Sequence, residues 1–207
     1  MFKDVIGDLL FQYKGRACKK RPLIVAIDGL GGAGKTTLVK NIKNELKSKC
    51  AVSVIHIDDH IVERDKRYNT GYSEWFEYYY LQWDIEKIRD DLLKKIHNNT
   101  LELMLPFYDK SYDTTILNKI TIASNSIVLI EGVFLQRKEW KAFYDYKIFI
   151  DCPKEIRYER VLNRDLYIGD YQARLNKYKN RYWLGEEYYL KIENPMKQAD
   201  KIFYVTL

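Results

Sequence analysis

The stretch Gly29-Leu30-Gly31-Gly32-Ala33-Gly34-Lys35-Thr36-Thr37 constrains this chain more than any other. It follows an apolar run, Leu23-Ile24-Val25-Ala26-Ile27, that reads as a buried strand, and it opens a segment in which Leu38, Val39, Ile42 and Leu46 recur at helical spacing. Glycines between a strand and a helix let consecutive backbone N–H groups curl around an anion, and the start of the helix adds positive potential. Gly29, Gly31, Gly32, Ala33 and Gly34 are therefore expected to cradle phosphates, with Thr37 beside them. Lys35 is expected to reach the outer phosphates, and the Thr36 hydroxyl to meet Mg²⁺. The spelling is that of a P-loop, and a nucleoside triphosphate with its metal is the first ligand it predicts.

The remainder reads as one α/β domain. A chain of 207 residues with 46% hydrophobic content can bury one sizeable core, and no Pro/Gly/Ser-rich linker or repeat divides it, so residues 1–207 are expected to form a single domain. Within residues 1–20, Phe2, Val5, Ile6, Leu9 and Leu10 share one face, which suits a surface helix rather than a signal peptide. No stretch is long and apolar enough to span a membrane. Cys18, Cys50 and Cys152 lack zinc or redox spacing, so a reducing, cytoplasmic setting is expected. The formal charge of +6 comes from basic residues spread along the chain with no nucleic-acid motif. A small anionic ligand, not a nucleic acid or a membrane, is the partner this favours.

After the P-loop helix, Ala51-Val52-Ser53-Val54-Ile55-His56-Ile57 reads as a strand that delivers Asp58-Asp59 at its end. Residues 73–97 read as one helix carrying an aromatic band of Trp75, Phe76, Tyr78, Tyr79, Tyr80 and Trp83, which at that spacing favours core over ligand stacking. Leu101 to Leu105 and Ile116 to Ile122 flank a polar segment and suit a small β excursion. Ile127-Val128-Leu129-Ile130 ends in Glu131, Lys147-Ile148-Phe149-Ile150 ends in Asp151-Cys152-Pro153, and Ile202-Phe203-Tyr204-Val205 closes the chain. Pro153 suits a first helical position and Glu155 a first turn, with helices expected over 153–166 and 170–192. Near-continuous apolar strands separated by helices argue a parallel sheet with its ligand at the strands' carboxyl ends. The P-loop, Asp58 and Glu131 all fall on that edge.

Phosphoryl transfer needs a phosphate cradle, Mg²⁺ ligands, cations for the developing charge, and a group that orients or deprotonates the nucleophile. Asp58 is the candidate base and a further candidate metal contact, and Glu131 is a Walker-B-like acid for Mg²⁺. On an extended strand His56, Asp58 and His60 would share a face, which leaves a transition-metal site open as the lesser alternative. Arg157, Arg160 and Arg164 recur at helical spacing, and with a P-loop present Arg160 and Arg164 suit a lid that closes over phosphates.

Together these segments resemble the uridine kinase-like branch of small P-loop kinases, which includes uridine-cytidine and nicotinamide riboside kinases and borders on pantothenate kinase and phosphoribulokinase. The likeness runs from about residue 22 to residue 206. It implies a three-layer α/β sandwich with a mostly parallel five-stranded sheet, a small β excursion, and a helical arginine lid at about 160–180. Asp58-Asp59-His60-Ile61 matches the stretch whose first acid is the base, with Asp59 beside it as an acceptor contact. Asp84, in Leu81-Gln82-Trp83-Asp84, matches the acid that holds ribose hydroxyls. Pro106-Phe107-Tyr108-Asp109 matches a segment whose tyrosine faces the base, Ile130-Glu131-Gly132-Val133-Phe134 matches the metal-side strand end, and Arg160 to Asp165 is similar to the start of the lid.

The chain departs from that pattern in three places. His60 and Ile61 replace an aromatic pair, Asp113 stands near where uridine kinases read the pyrimidine, and Leu166-Tyr167-Ile168-Gly169-Asp170 replaces an R-G-R lid stretch. The resemblance thus implies an ATP- and Mg²⁺-dependent kinase whose acceptor is a small metabolite, first of all a nucleoside, with pantothenate-like and sugar-phosphate acceptors open. A nucleotide-gated switch is the rival reading. Its guanine reader N-K-x-D is absent, since Asn118-Lys119-Ile120-Thr121 lacks the aspartate.

Overall fold

In the computed structural model, which describes residues 2–16 and 21–205, the apolar runs become strands. Among the described residues they are β1 (Leu23–Gly29), β2 (Ala51–His56), β3 (Glu102–Asp109), β4 (Thr114–Thr121), β5 (Ser126–Gly132), β6 (Tyr146–Asp151) and β7 (Lys201–Tyr204). Five of them form a parallel sheet in the order β2-β5-β1-β6-β7, and β3 and β4 pair antiparallel as a separate hairpin. The expected β excursion is this hairpin.

Every residue of β1 and of β5 is buried, as strands covered on both faces must be. The pleat divides their side chains between two cores. Ile24 and Ala26 join Val128, Ile130 and Phe149 in one, while Val25 and Ile27 join Leu129, Ile148 and Ile150 in the other. The second core is roofed by α1 (Phe2–Lys14) and α2 (Lys35–Leu46) through Val5, Leu9, Leu38, Ile42 and Leu46. Each such aliphatic side chain contributes roughly 1.5–3 kcal/mol on burial.

The first core is covered by helices that follow β2 and β6. A short α3 (Arg64–Arg67) precedes α4 (Glu74–Phe76), which runs on through a wider turn at Glu77–Leu81. Next come α5 (Ile85–Lys87), a second wide turn at Ile88–Leu93, and α6 (Lys94–His97). After β6 stand α7 (Lys154–Arg164), α8 (Tyr171–Lys177), a wide turn at Tyr178–Tyr182 leading into α9 (Trp183–Glu193), and α10 (Pro195–Gln198). The aromatic band is largely core: Tyr78, Tyr79 and Trp83 are buried with Phe134 and Tyr189.

Three expectations need correction. The helix over 73–97 is broken at Gln82 to Asp84. Trp83 is drawn inward, its indole Nε1 donating to Ile57 O at 2.9 Å, and Asp84 starts a new helix by accepting the Lys87 N–H at 3.0 Å. The strand after α2 ends at His56, one residue early, and Ile57–His60 forms a single tight 3₁₀ turn. Pro153 is the N-cap of α7 rather than its first residue. Cys18 lies outside the described residues; Cys50 and Cys152 are free thiols.

Candidate active site

Because the strands are parallel, their carboxyl ends share one edge, and loops leaving β1, β2 and β5 border a cavity of about 1050 Å³. Gly34 caps α2 with φ 95°, and Gly32 has φ 78°. A Cβ on Gly32 would sit 2.6 Å from the Arg157 carbonyl oxygen, so the loop can approach α7 only as glycine. Lys35 opens α2 and folds back over the loop, its Nζ donating to Gly29 O at 2.9 Å and Leu30 O at 3.1 Å.

Two of the three residues expected at the metal, Thr36 and Glu131, meet. Thr36 Oγ1 donates to Glu131 Oε1 and Oε2 at 3.2 and 3.3 Å, bringing the first turn of α2 to the end of β5. His56 Nδ1 lies 3.1 Å from Glu131 Oε1. A hydroxyl and a carboxylate beside a phosphate cradle are hard oxygen donors, which fit Mg²⁺ bound through one or two protein groups plus phosphates and water. The imidazoles do not converge. The 3₁₀ turn breaks the alternation on which a shared face depended, and His60 is buried with Nδ1 2.7 Å from Pro106 O.

Asp58 stands on that same turn and lines the cavity. It is open to the cleft, yet protein on its other sides withdraws bulk water and raises its pKa; Lys35 opposes the shift, and Glu131 and Asp59 add to it. Residues of a 3₁₀ turn succeed one another at about 120°. Asp59 consequently faces solvent while Asp58 faces the cavity, and Asp59 is absent from its wall. Asp84, spent on its cap, borders a smaller pocket with His60 and Lys66. Tyr108 does reach the main cavity, its hydroxyl donating to Asp113 Oδ1 at 2.8 Å.

On the other wall, Arg160 Nη1 donates to Gly32 O at 3.2 Å, and Arg164 is forked onto Asp165 at 2.6 and 2.9 Å. Both line the cavity together with Lys35, Thr36, Thr37, Asp58 and Glu131. Tyr178 also donates to Asp165 and fixes it from below.

Several partners gave no local signal in the sequence. Glu186 of α9 is buried, accepts the Gly31 N–H at 2.6 Å and pairs with Arg157 Nη1 at 2.9 Å. Burial raises its pKa, with Arg157 and the Gly31 amide pulling the other way. Arg157 belonged to the basic helical face, but its acid lies 29 positions along the chain. Near the end of β1, buried Asp28 accepts from Tyr189 Oη, from Gln136 Nε2 at 3.1 Å and from Gly29 N at 2.8 Å, tying the root of the P-loop to α9. Glu186→Ala is expected to cost about 3 kcal/mol by stranding the Arg157 charge. Chemical denaturation checks this, and an unchanged midpoint would show that the pair contributes nothing net.

A glycine-rich loop facing an acid across a cleft, with a second acid on the metal side and arginines on a separate helix, is how P-loop phosphotransferases are laid out. The model of the phosphoribulokinase/uridine kinase family matches residues 24–206. A possible uridine kinase from Bacillus stearothermophilus is 40% identical, superposes with a TM-score of 0.75, and is covered over 99% of its length by 95% of this chain. The uridine kinase of Clostridium botulinum (strain Kyoto) is 28% identical over 155 residues, 71% of this chain and 70% of that one. Phosphoribulokinase from Rhodobacter spheroides shares the fold at a TM-score of 0.63 and 16% identity, over 90% of this chain and 70% of its own. The protein is a small-molecule kinase with a nucleotide-binding P-loop. It belongs to the phosphoribulokinase/uridine kinase family.

Proposed function

We propose that the chain transfers the γ-phosphoryl group of ATP, with Mg²⁺, to a hydroxyl of a small metabolite. The observation that carries this is the convergence of Lys35, Thr36, Glu131 and Asp58 on one cavity roomy enough for a nucleotide and an acceptor together. The glycine-rich loop and Lys35 hold the phosphates, and Thr36 with Glu131 would hold Mg²⁺, whose charge neutralises the phosphoryl oxygens when it is bound. Asp58 orients the acceptor hydroxyl and takes its proton. Arg160, free of any acid partner among the described residues, offers its charge to the transferring group, and Arg164 is held nearby by Asp165. The uridine kinases named above make a nucleoside the reference acceptor.

ADP release from Mg-ATP with uridine, cytidine, other ribosides, pantothenate and sugar phosphates, using Lys35→Ala as blank, tests the reading. Lys35-dependent stimulation by an acceptor supports it; slow hydrolysis indifferent to every acceptor would replace it with the switch.

A pH profile tests the base separately. Asp58 works only when ionised, so kcat/KM should fall as pH drops through its pKa. Burial has moved that pKa upward, so the acid limb should lie above the ordinary carboxylate value of about 4. A limb at or below 4 would exclude a desolvated Asp58 as the base.

A further inference from the structure

Four arginines are buried among the described residues: Arg67, Arg137, Arg157 and Arg181. Three have a carboxylate. Arg137 meets Glu139 at 3.2 Å, Arg157 meets Glu186 at 2.9 Å, and Arg181 meets Glu77 at 2.9 Å. Arg67 has none among the described residues. Its Nε donates to Val62 O at 2.7 Å, and its guanidinium carbon lies 4.9 Å from the Tyr68 ring centre and 5.1 Å from that of Tyr108. The carbonyl and the two nearby rings hold the group in place, while both Nη atoms are left without a protein acceptor among the described residues. Arg67 lines the same cavity as the P-loop.

Two more cations stand on this wall. Arg64 is one helical turn before Arg67, and its backbone N–H shares Asp113 Oδ1 with the Tyr108 hydroxyl, which places it beside the same rings. Lys110, at the end of the β3–β4 hairpin, lies with Nζ 4.1 Å from the Tyr167 ring centre. Neither side chain forms an ion pair among the described residues, and both line the cavity. The acids of the cavity are engaged elsewhere: Asp165 with Arg164, Glu186 with Arg157, and Glu131 with Thr36 and His56. That leaves Asp58, the base. The hairpin side of the cavity is thus a cationic, tyrosine-rich wall, and Asp113 behind it is taken up by the Arg64 N–H and the Tyr108 hydroxyl rather than by a guanidinium or ammonium.

We propose that the phosphoryl acceptor carries an anionic group, a carboxylate or a phosphate, which Arg67 takes through its free Nη edge with Arg64 and Lys110 beside it. The proposal rests on the kinase reading above and narrows its acceptor from any hydroxyl metabolite to an acidic one. A planar guanidinium anchored through its Nε beside two rings can offer two parallel hydrogen bonds to a carboxylate or phosphate. A neutral riboside would fill the cavity but leave a buried charge uncompensated, which is costly. The anion would anchor one end of the acceptor and leave a hydroxyl for Asp58, so the group that binds and the group that reacts are different parts of one molecule.

The test offers acceptors in matched pairs that differ in the anionic group: glycerate against glycerol, pantothenate against pantothenol, ribulose 5-phosphate against ribulose, and uridine 3′-phosphate against uridine. ADP release is followed for each in the wild type, Arg67→Gln, Arg67→Lys, Arg64→Ala and Lys110→Ala. The expected result is stimulation by an acidic member and not by its neutral partner. Its KM should rise roughly tenfold to a hundredfold in Arg67→Gln, with partial rescue in Arg67→Lys and the KM for ATP held. The carboxylate and phosphate pairs separate the two sources of the charge. Arg64→Ala and Lys110→Ala alter exposed side chains, so a smaller rise in the same KM keeps the test decisive if Arg67→Gln does not fold. Equal or greater stimulation by a neutral member, with KM indifferent to Arg64→Ala and Lys110→Ala, overturns the acidic acceptor and leaves the kinase standing. Stimulation by no member of any pair overturns both.

Discussion

Asp58→Asn is expected to lower kcat by roughly 10²–10⁴-fold, the usual contribution of a positioned general base, while the folded state and the affinity for Mg-ATP persist. The amide preserves the size of the side chain and removes only its capacity to take a proton. Asp58 bears no fold-defining contact: it sits on a turn held by its neighbours, with Ile57 packed in the core, Trp83 hydrogen-bonded to the Ile57 carbonyl and His60 buried against Pro106. Asp58 is exposed to the cleft, so the amide should leave the stability of the fold close to that of the parent. Undiminished turnover in a folded Asp58→Asn protein would remove this residue from the mechanism.

Lys35→Ala should be the second large loss, roughly 10²–10³-fold in kcat, because the ammonium follows the phosphates whose charge develops during transfer. In the structure Lys35 Nζ is parked on two loop carbonyls, Gly29 O and Leu30 O, bonds that leave it within reach of a bound phosphate. The variant carries a second signature. Lys35 is the main influence lowering the Asp58 pKa, so its loss should push the acid limb of the residual activity to higher pH. Turnover lost with the limb unmoved would place Lys35 too far from Asp58 for the two to share a reaction centre.

The phosphate-binding half of this site was legible because it is local. A strand, four close glycines, a lysine and a helix are contiguous, and Glu131 is marked by the apolar run before it. What escaped depends on distance or on backbone departures from an ideal period. Apolar and aromatic residues continue at helical spacing across Gln82 to Asp84, so periodicity carried one helix through a break; the available signal was Asp84 itself, a favoured cap residue three positions before Lys87. The pairing of His56, Asp58 and His60 on one face assumed an extended chain where the structure has a 3₁₀ turn. Glu186, Asp28 and Arg67 carry no motif at all. Their meaning comes from partners, or the want of one, and no local pattern specifies which charge a buried guanidinium will meet.

The hairpin-side wall is drawn almost entirely from one stretch of chain. Ile61, Arg64, Arg67, Gln82, Tyr108 and Lys110 lie between the end of β2 and the turn into β4, whereas the phosphate cradle and Glu131 lie outside that stretch on the central strands. On the proposed reading, nucleotide binding and acceptor choice fall on separate segments, with Asp58 at the start of the second. Substitutions in the intervening stretch can retune which metabolite is accepted while the buried sheet goes on presenting the same loop and acid. That division would let the choice of acceptor change without altering the loop that binds the nucleotide.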